Sequence, residues 1–418
     1  MIEKITIDGF KSLKNVTIEI KPLTVLIGLN SSGKSSVLQL LAVLKQCSAK
    51  QVYANQLVTR GDLVNLGDFE DVVRKEGKKE IGVEIAGGTQ QQSELEFLRA
   101  IRYNYSFTVD AMGLRSYDFS MAMVGSMKFD GSYDRDEREQ RDIQLRFDEE
   151  NILFFRNQPY IARPLQFTGV RGNLFEEHLR VLQYTIPEII ATDLSSFFFV
   201  PAARGMSSPS YPLDERASDD LVDVSNLSKQ AVKLSSTMVY ESPSIQEKIN
   251  KWIRRITGVA VRARTIPNKN ASIEVAGKFN VNVVNEGFGS NQLIHLFAQI
   301  ARAPVSSLIG IEEPEAHLHP KAQSEMASVL MDIAKQEKKN LIMTTHSEHI
   351  LYRFLIEVAR GKLKQEDFVI YHFRLADDGT TIVERLNVDE KGRLDKGIPD
   401  FLETDLSEFK GFLEALGG

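Results

Sequence analysis

Eight residues, Gly28-Leu29-Asn30-Ser31-Ser32-Gly33-Lys34-Ser35, follow the pattern G-x-x-x-x-G-K-[ST]. What constrains the fold is that both flanks agree with it. Ahead lies Leu23-Thr-Val-Leu-Ile27, a short apolar run rich in β-branched residues that predicts a buried strand. Behind lies Ser35 to Lys45, whose pattern predicts a helix beginning inside the loop. Strand, glycine loop and helix is the geometry that cradles phosphate. The glycines let successive N–H groups turn inward, and the helix N-terminus adds partial positive charge there. In that geometry Lys34 reaches β- and γ-phosphate oxygens and Ser35 ligates Mg²⁺. Backbone and side chains of Gly28, Asn30, Ser31, Ser32, Gly33 and Ser36 complete the expected ATP cradle.

Composition bounds the remainder. A chain of 418 residues, 42% hydrophobic and 26% charged, can bury a sizeable core and predicts two lobes. One cysteine, Cys47, excludes a disulfide framework and a cysteine-rich zinc site, and suits a reducing, cytoplasmic setting. The opening residues form a strand pattern without a signal peptide's apolar core, and runs such as Phe197 to Val200 are too short to span a bilayer. No membrane partner is expected. A net charge of −6 argues against a polybasic nucleic-acid binder, although basic clusters occur at Arg74–Lys79 and Lys251–Arg255. Each reads as a solvated turn or helix face.

Strands are predicted at Ile2–Ile7, Val16–Ile20 and Glu80–Ile85. Short alternating runs over residues 95–170 predict an antiparallel β-rich stretch, with the charged segment Asp130–Asp142 as an exposed loop. Gly205–Pro212 reads as a loop, 226–257 as helical and 259–284 as strands. Three domains are expected: an N-terminal lobe over 1–95, an inserted β-rich and helical lobe over 96–284, and a C-terminal lobe over 285–418.

The C-terminal third holds the remaining chemistry. The apolar strand Ser307–Ile311 delivers Glu312 and Glu313 to its end. Successive strand residues face opposite ways, so the two acids cannot share one role. Glu312 suits the metal and Glu313 the attacking water. A second strand, Lys339–Thr345, ends at His346, placed to hydrogen-bond a γ-phosphate and sense it. His317, His319 and His349 invite a metal reading, which the absence of a cysteine partner weakens.

These segments together resemble the ABC-type ATPases of the RecF, SMC and OLD group. The markers are Ile5–Lys14 ahead of the phosphate loop, Asn285-Glu-Gly-Phe-Gly-Ser-Asn-Gln292 as a signature loop, Ile311-Glu-Glu-Pro-Glu-Ala-His-Leu-His-Pro320 as Walker B and D-loop, and Thr344–Ile350 as the switch-histidine segment. All four occur in the right order. The resemblance implies an α/β fold: a P-loop ATPase head with a mixed sheet, an antiparallel β subdomain and a helical lobe. It implies a homodimer or higher oligomer that sandwiches ATP and Mg²⁺, the signature residues Gly287, Gly289 and Ser290 of one copy facing the phosphate loop of another. Catalysis would rest on Glu313, His346 and Lys34, and metal binding on Ser35 and Glu312. Two positions depart from the group. Gly287 stands where serine is usual, so the hydroxyl contact comes from Ser290 or is absent, and Glu312 stands where aspartate is common. Gln56 is a weak candidate for the Q-loop glutamine, Lys11 and Lys14 for base neighbours, and Arg204 for a phosphate or partner contact.

The chain has no long heptad arms, and only roughly 70 residues follow His346, too few for a Toprim nuclease domain. Within that tail Asp377-Asp-Gly379 signals a hairpin. The leading expectation is therefore an ATP-hydrolysing switch that controls a separate effector, a nuclease or toxin, in the manner of Septu-like anti-phage ATPases. The alternative is a RecF-like DNA-binding repair ATPase. A small-molecule kinase and a scaffold that barely hydrolyses ATP are the other readings, and nucleic acid stays open as a partner.

Overall fold

The computed structural model describes residues 1–48, 56–90, 100–123, 128–135, 143–147, 150–156, 167–171, 189–205, 207–213, 243–277 and 280–398. Its contacts divide the chain into two units, each assembled from separated segments. The first comprises Met1–Ile20, Gln39–Phe197 and Asp377–Thr381, and the second Lys21–Leu38, Phe198–Ala376 and Ile382–Gly418.

The first unit carries a nine-stranded sheet. Its strands are β1 (Ile2–Asp8), β2 (Val16–Glu19), β4 (Ile81–Gln90), β5 (Ala100–Asp110), β6 (Gly113–Met123), β7 (Lys128–Asp134), β8 (Ile143–Phe147), β9 (Glu150–Arg156) and β10 (Phe167–Arg171), in the order β10-β9-β8-β7-β6-β5-β4-β1-β2. Every pairing is antiparallel. Alternation sets one buried face: Tyr103, Tyr105, Phe107 and Val109 of β5 all point inward, and Tyr105 packs against Tyr117 with ring centroids 6.2 Å apart.

The antiparallel stretch expected from the sequence is thus present. Of the loop expected at Asp130–Asp142, Asp130–Asp134 is instead paired within β7, and residues 136–142 lie outside the described residues. Arg74, read as part of a solvated turn, is buried, and its guanidinium donates to Thr380 Oγ1 at 2.7 Å.

The second unit holds a six-stranded sheet ordered β11-β16-β17-β3-β18-β19, where β3 is Leu23–Gly28, β11 Phe197–Val200, β16 Leu308–Glu312, β17 Asn340–Thr345, β18 Phe368–Leu375 and β19 Thr381–Leu386. β16 runs parallel to β17, and β3 runs parallel to both β17 and β18. β3 is buried along its whole length, as parallel strands covered on both faces must be. A second, smaller sheet is ordered β12-β14-β13, with β15 (Val281–Asn282) on β14; here β12 is Tyr211–Pro212, β13 Ala260–Ile266 and β14 Asn270–Ala276. The loop read at Gly205–Pro212 therefore ends in a strand, anchored where Ser207 N and Ser208 N donate to Tyr211 Oη at 2.7 and 2.6 Å.

Helix α1 (Lys34–Ser48) begins on the phosphate-loop lysine. The others used below are α2 (Pro243–Thr257), α3 (Phe288–Arg302), α4 (Pro320–Gln336) and α5 (Glu348–Ala359). Only the 243–257 part of the expected 226–257 helix lies within the described residues. The core of the second unit joins Val25 and Ile27 with Trp252, Phe297, Leu330 and Phe354. Trp252 lies 5.4 Å from Phe297 and Phe354 5.6 Å from Phe368, ring to ring. No helix among the described residues is long and apolar enough to cross a membrane.

Candidate functional site

Parallel register brings the candidate residues to one sheet edge. Glu312 pairs with Thr344, Thr344 with Leu26, Thr345 with Ile27, and Phe373 with Gly28. The carboxyl ends of β16, β17, β3 and β18 are therefore level, and the loops leaving the first three carry Glu313, His346 and Lys34. Ligands of open α/β sheets bind at such an edge.

The phosphate loop is shaped by its glycines. Gly28 has φ +140°, and a Cβ there would lie 2.0 Å from Phe373 O. Gly33 is also left-handed, at φ 98°, and Ser31 joins it at 62°. Leu29, Asn30 and Ser31 are exposed, while Ser32, Lys34 and Ser36 are buried and Ser35 is half-buried. Lys34 Nζ donates to Gly28 O at 2.9 Å, Leu29 O at 2.6 Å and Ser32 Oγ at 3.4 Å. Burial pushes its pKa down to about 8, against the pull of Glu313 and Glu315.

The two acids differ in environment, but not through strand alternation: β16 ends at Glu312, and Glu313 follows it with a left-handed backbone. Glu312 is buried and Oε2 accepts from Ala202 N at 3.1 Å. Its Oε1 is buried with no hydrogen-bond partner. Burial raises its pKa, and hydrogen bonds from Ala202 N and the Ser35 hydroxyl oppose the rise. The Glu313 side chain is 41% exposed, with Oε1 3.6 Å from His346 Nε2. Its backbone is left-handed at φ 44°. Burial and the Lys34 charge hold His346 below the ordinary histidine pKa, while Glu313 and a Gly28 backbone hydrogen bond act the other way. The imidazole is therefore neutral at pH 7.

Glu315, to which the sequence motifs assign no separate role, belongs to this cluster. Its Oε1 accepts from the Thr345 hydroxyl at 2.6 Å and from His346 N at 2.8 Å, and Oε2 is buried without a partner. Burial raises its pKa. The available signal was a third acid in Glu312-Glu313-Pro314-Glu315. The structure also relocates Arg204: its guanidinium is buried against the carbonyls of Pro201, Glu312 and Glu313, where it is not free to meet a partner subunit.

The signature segment forms a turn of 3₁₀ helix at Val283–Asn285 and then α3. Gly287 is the exposed N-cap and supplies no side-chain acceptor to the first turn. At Gly289 a Cβ would lie 3.0 Å from Leu318 Cδ2 and 3.1 Å from His317 O, so this glycine is required by close approach. Ser290 follows in the first turn, half-buried.

The remaining candidates have the following surroundings. Lys11 Nζ donates to Gln39 Oε1 at 2.6 Å. Lys14 lines a cavity of about 550 Å³ with Asp8, Arg74 and Asp378. Gln56 is exposed, its carbonyl accepting from the Cys47 thiol. His319 caps α4, and no group of three histidine, cysteine or acidic side chains suited to a metal occurs among the described residues. In the basic cluster on α2, Arg255 is engaged with Asp332 at 2.5 Å and Glu325 at 3.4 Å, which leaves Lys251 and Arg254 exposed.

A parallel strand, a glycine loop with an inward lysine, and acids on the next strand but one, β16, with β17 between, define a P-loop nucleotide-binding protein. The chain belongs to the AAA ATPase domain family, whose model matches residues 1–351, and so stands among ATPases. Solved structures similar to it include an SMC head bound to the C-winged helix domain of ScpA, at 19% identity over 93% of this chain and 98% of that one, with a TM-score of 0.48. The SMC head domain from Thermotoga maritima is similar at 12% identity over 93% and 99%, with a TM-score of 0.42. An Smc head with an extended coiled coil, bound to the C-terminal domain of ScpA derived from Pyrococcus furiosus, is similar at 15% identity over 100% and 99%, with a TM-score of 0.45.

Proposed function

We propose that this chain is an ATP-driven switch: two copies close around ATP, hydrolysis opens them, and the change controls a separate effector protein. The observation that carries the reading is the meeting of Lys34, Glu312, Glu313 and His346 at one sheet edge, with Glu313 and His346 3.6 Å apart.

In this reading the Lys34 ammonium exchanges its loop carbonyls for the β- and γ-phosphate oxygens of ATP. Gly28, Asn30, Ser31, Ser32, Gly33 and Ser36 surround the phosphates. Glu313, half open to solvent, orients and deprotonates the attacking water. His346 stays neutral and donates to the γ-phosphate, so its position reports whether that phosphate is present. Ser35 and Glu312 fit a Mg²⁺ site, because Glu312 Oε1 is a buried oxygen without a partner and the Ser35 hydroxyl faces the same carboxylate. Bound there, the ion would neutralise charge on the β- and γ-phosphates.

The second copy enters through Gly287, Gly289 and Ser290. In support, α3 opens on an exposed glycine that itself supplies no side-chain cap to the first turn, a disposition suited to a phosphate from another chain. The effector, a nuclease or toxin of an anti-phage module, is supported by the motif resemblance and is checked by co-purification from the native host.

The Glu313→Gln variant tests the switch. With ATP it should accumulate as a dimer or larger assembly in light scattering, and Lys34→Ala should abolish that assembly. An unchanged mass for Glu313→Gln with ATP would sink the sandwich mechanism. Hydrolysis stimulated by DNA and falling steeply with salt would favour the DNA-clamping alternative.

A further inference from the structure

One guanidinium faces three main-chain carbonyls beside the candidate site. Arg204 Nη1 donates to Pro201 O at 2.8 Å and Glu312 O at 2.7 Å, and Nη2 donates to Glu313 O at 2.9 Å. The side chain is 6% exposed. Burial lowers its pKa to about 10, with Glu315, Glu312 and Glu313 pulling it back up. A buried cation is a costly way to fill space, and an apolar side chain would serve the fold at least as well. Its retention here is explained by what it grips.

The same segment supplies Ala202 N to Glu312 Oε2. Pro201–Gly205 thus holds the carboxylate of one acid and the main chain of both. Glu313 needs that grip, because its left-handed backbone at φ 44° is a conformation that residues with a Cβ avoid. On the other side its N–H donates to Thr344 O at 3.0 Å, so the strained residue is fixed from two directions. The segment also touches α3. A Cβ on Gly205 would lie 3.2 Å from Asn291 Oδ1, and the Arg204 charge reaches His295 one turn further on.

The geometry points to Arg204 as a positioning residue for ATP hydrolysis, holding the Glu313 main chain so that its carboxylate stays beside His346, and tying that turn to the helix that follows Gly287. This assignment rests on the hydrolysis reading given above. Lysine replaces the planar fork poorly, since its single nitrogen has to stand in for donors that Arg204 places on two separate, rigidly spaced nitrogens.

Arg204→Lys and Arg204→Gln in the full chain test the assignment against wild type and Glu313→Gln. The measurements are melting temperature, affinity for a fluorescent ATP analogue with Mg²⁺, and the single-turnover hydrolysis rate at saturating ATP. Arg204→Lys should keep its fold and bind nucleotide within about twofold, while hydrolysis falls about tenfold or more, the size expected for a misplaced catalytic group. Combined with Glu313→Gln, it should cause no further loss. The assignment is overturned if Arg204→Lys hydrolyses at the wild-type rate, if fold or affinity declines in step with the rate, or if the double variant loses activity multiplicatively. A wild-type chain that does not hydrolyse ATP refutes the functional reading and this assignment together. An active wild type with an unaffected Arg204→Lys refutes this assignment alone.

Discussion

Lys34 shows how one residue's environment sets a measurable response. Burial lowers its pKa from 10.5 to about 8, so between those values the unfolded chain binds a proton that the folded chain does not. Stability is therefore gained as pH rises through that window, and the buried ammonium costs stability below it. A bound triphosphate adds negative charge and raises the pKa again. Nucleotide binding near pH 9 should accordingly take up a proton, and affinity should fall as pH rises above about 8. Isothermal titration in buffers of different ionisation enthalpy reads that uptake. A binding enthalpy independent of buffer would contradict it. The motif named Lys34 from spacing alone, since the lysine stands at a fixed offset from its glycines. Its shifted pKa was not legible, because it arises from burial and from Glu313 and Glu315, nearly 280 residues away in the chain.

Among the elements, the turn from β17 into α5 carries the most local information. Ser347 is the N-cap, accepting from Ile350 N at 3.1 Å, and its hydroxyl donates to Gln323 Oε1 at 2.6 Å. Ser347→Ala should cost about 1–2 kcal/mol, since an N-cap is lost and a half-buried amide loses its partner. Urea unfolding should show a lower midpoint with an unchanged slope, and a shift under about 0.3 kcal/mol would contradict the cap. Strand, loop and helix around Gly28 were legible because apolar runs and glycines act locally. The charged run at Asp130 misled because strand pairing in β7 outweighed a composition that reads as loop. Likewise the Gly205–Pro212 loop ends in a strand that only its pairing with β14 reveals.

Over the whole molecule, pH should report the buried histidine of α3. His295 is fully buried, its Nε2 3.1 Å from Gln299 Nε2, and burial with the Arg204 charge pushes its pKa down to about 3. From pH 6.5 down to about 3 the unfolded chain is protonated there and the folded chain is not, so stability is lost as pH falls, by about 1.4 kcal/mol per unit. Glu312 and Glu315 act oppositely. Their raised pKa values let the folded chain take up protons first, so stability is gained as pH falls through that window. Between pH 6.5 and 5 the histidine should remove about 2 kcal/mol from wild type. Urea midpoints for His295→Gln should show a flatter pH dependence, and parallel curves would contradict the assignment.

The sequence by itself determined the phosphate loop, the strands and helix beside it, the order of the four motifs and the place of Glu312 and Glu313 at a strand's carboxyl end. Each depends on residues within a few positions of one another, through glycine conformations and apolar periodicity. Only the tertiary structure decided that Glu315 secures the start of the His346 turn, that Phe373 O forbids a side chain at Gly28, and that Arg204 grips the two acids. Those contacts join residues from about 30 to more than 300 positions apart, and it is the pairing of strands distant in sequence that brings them together.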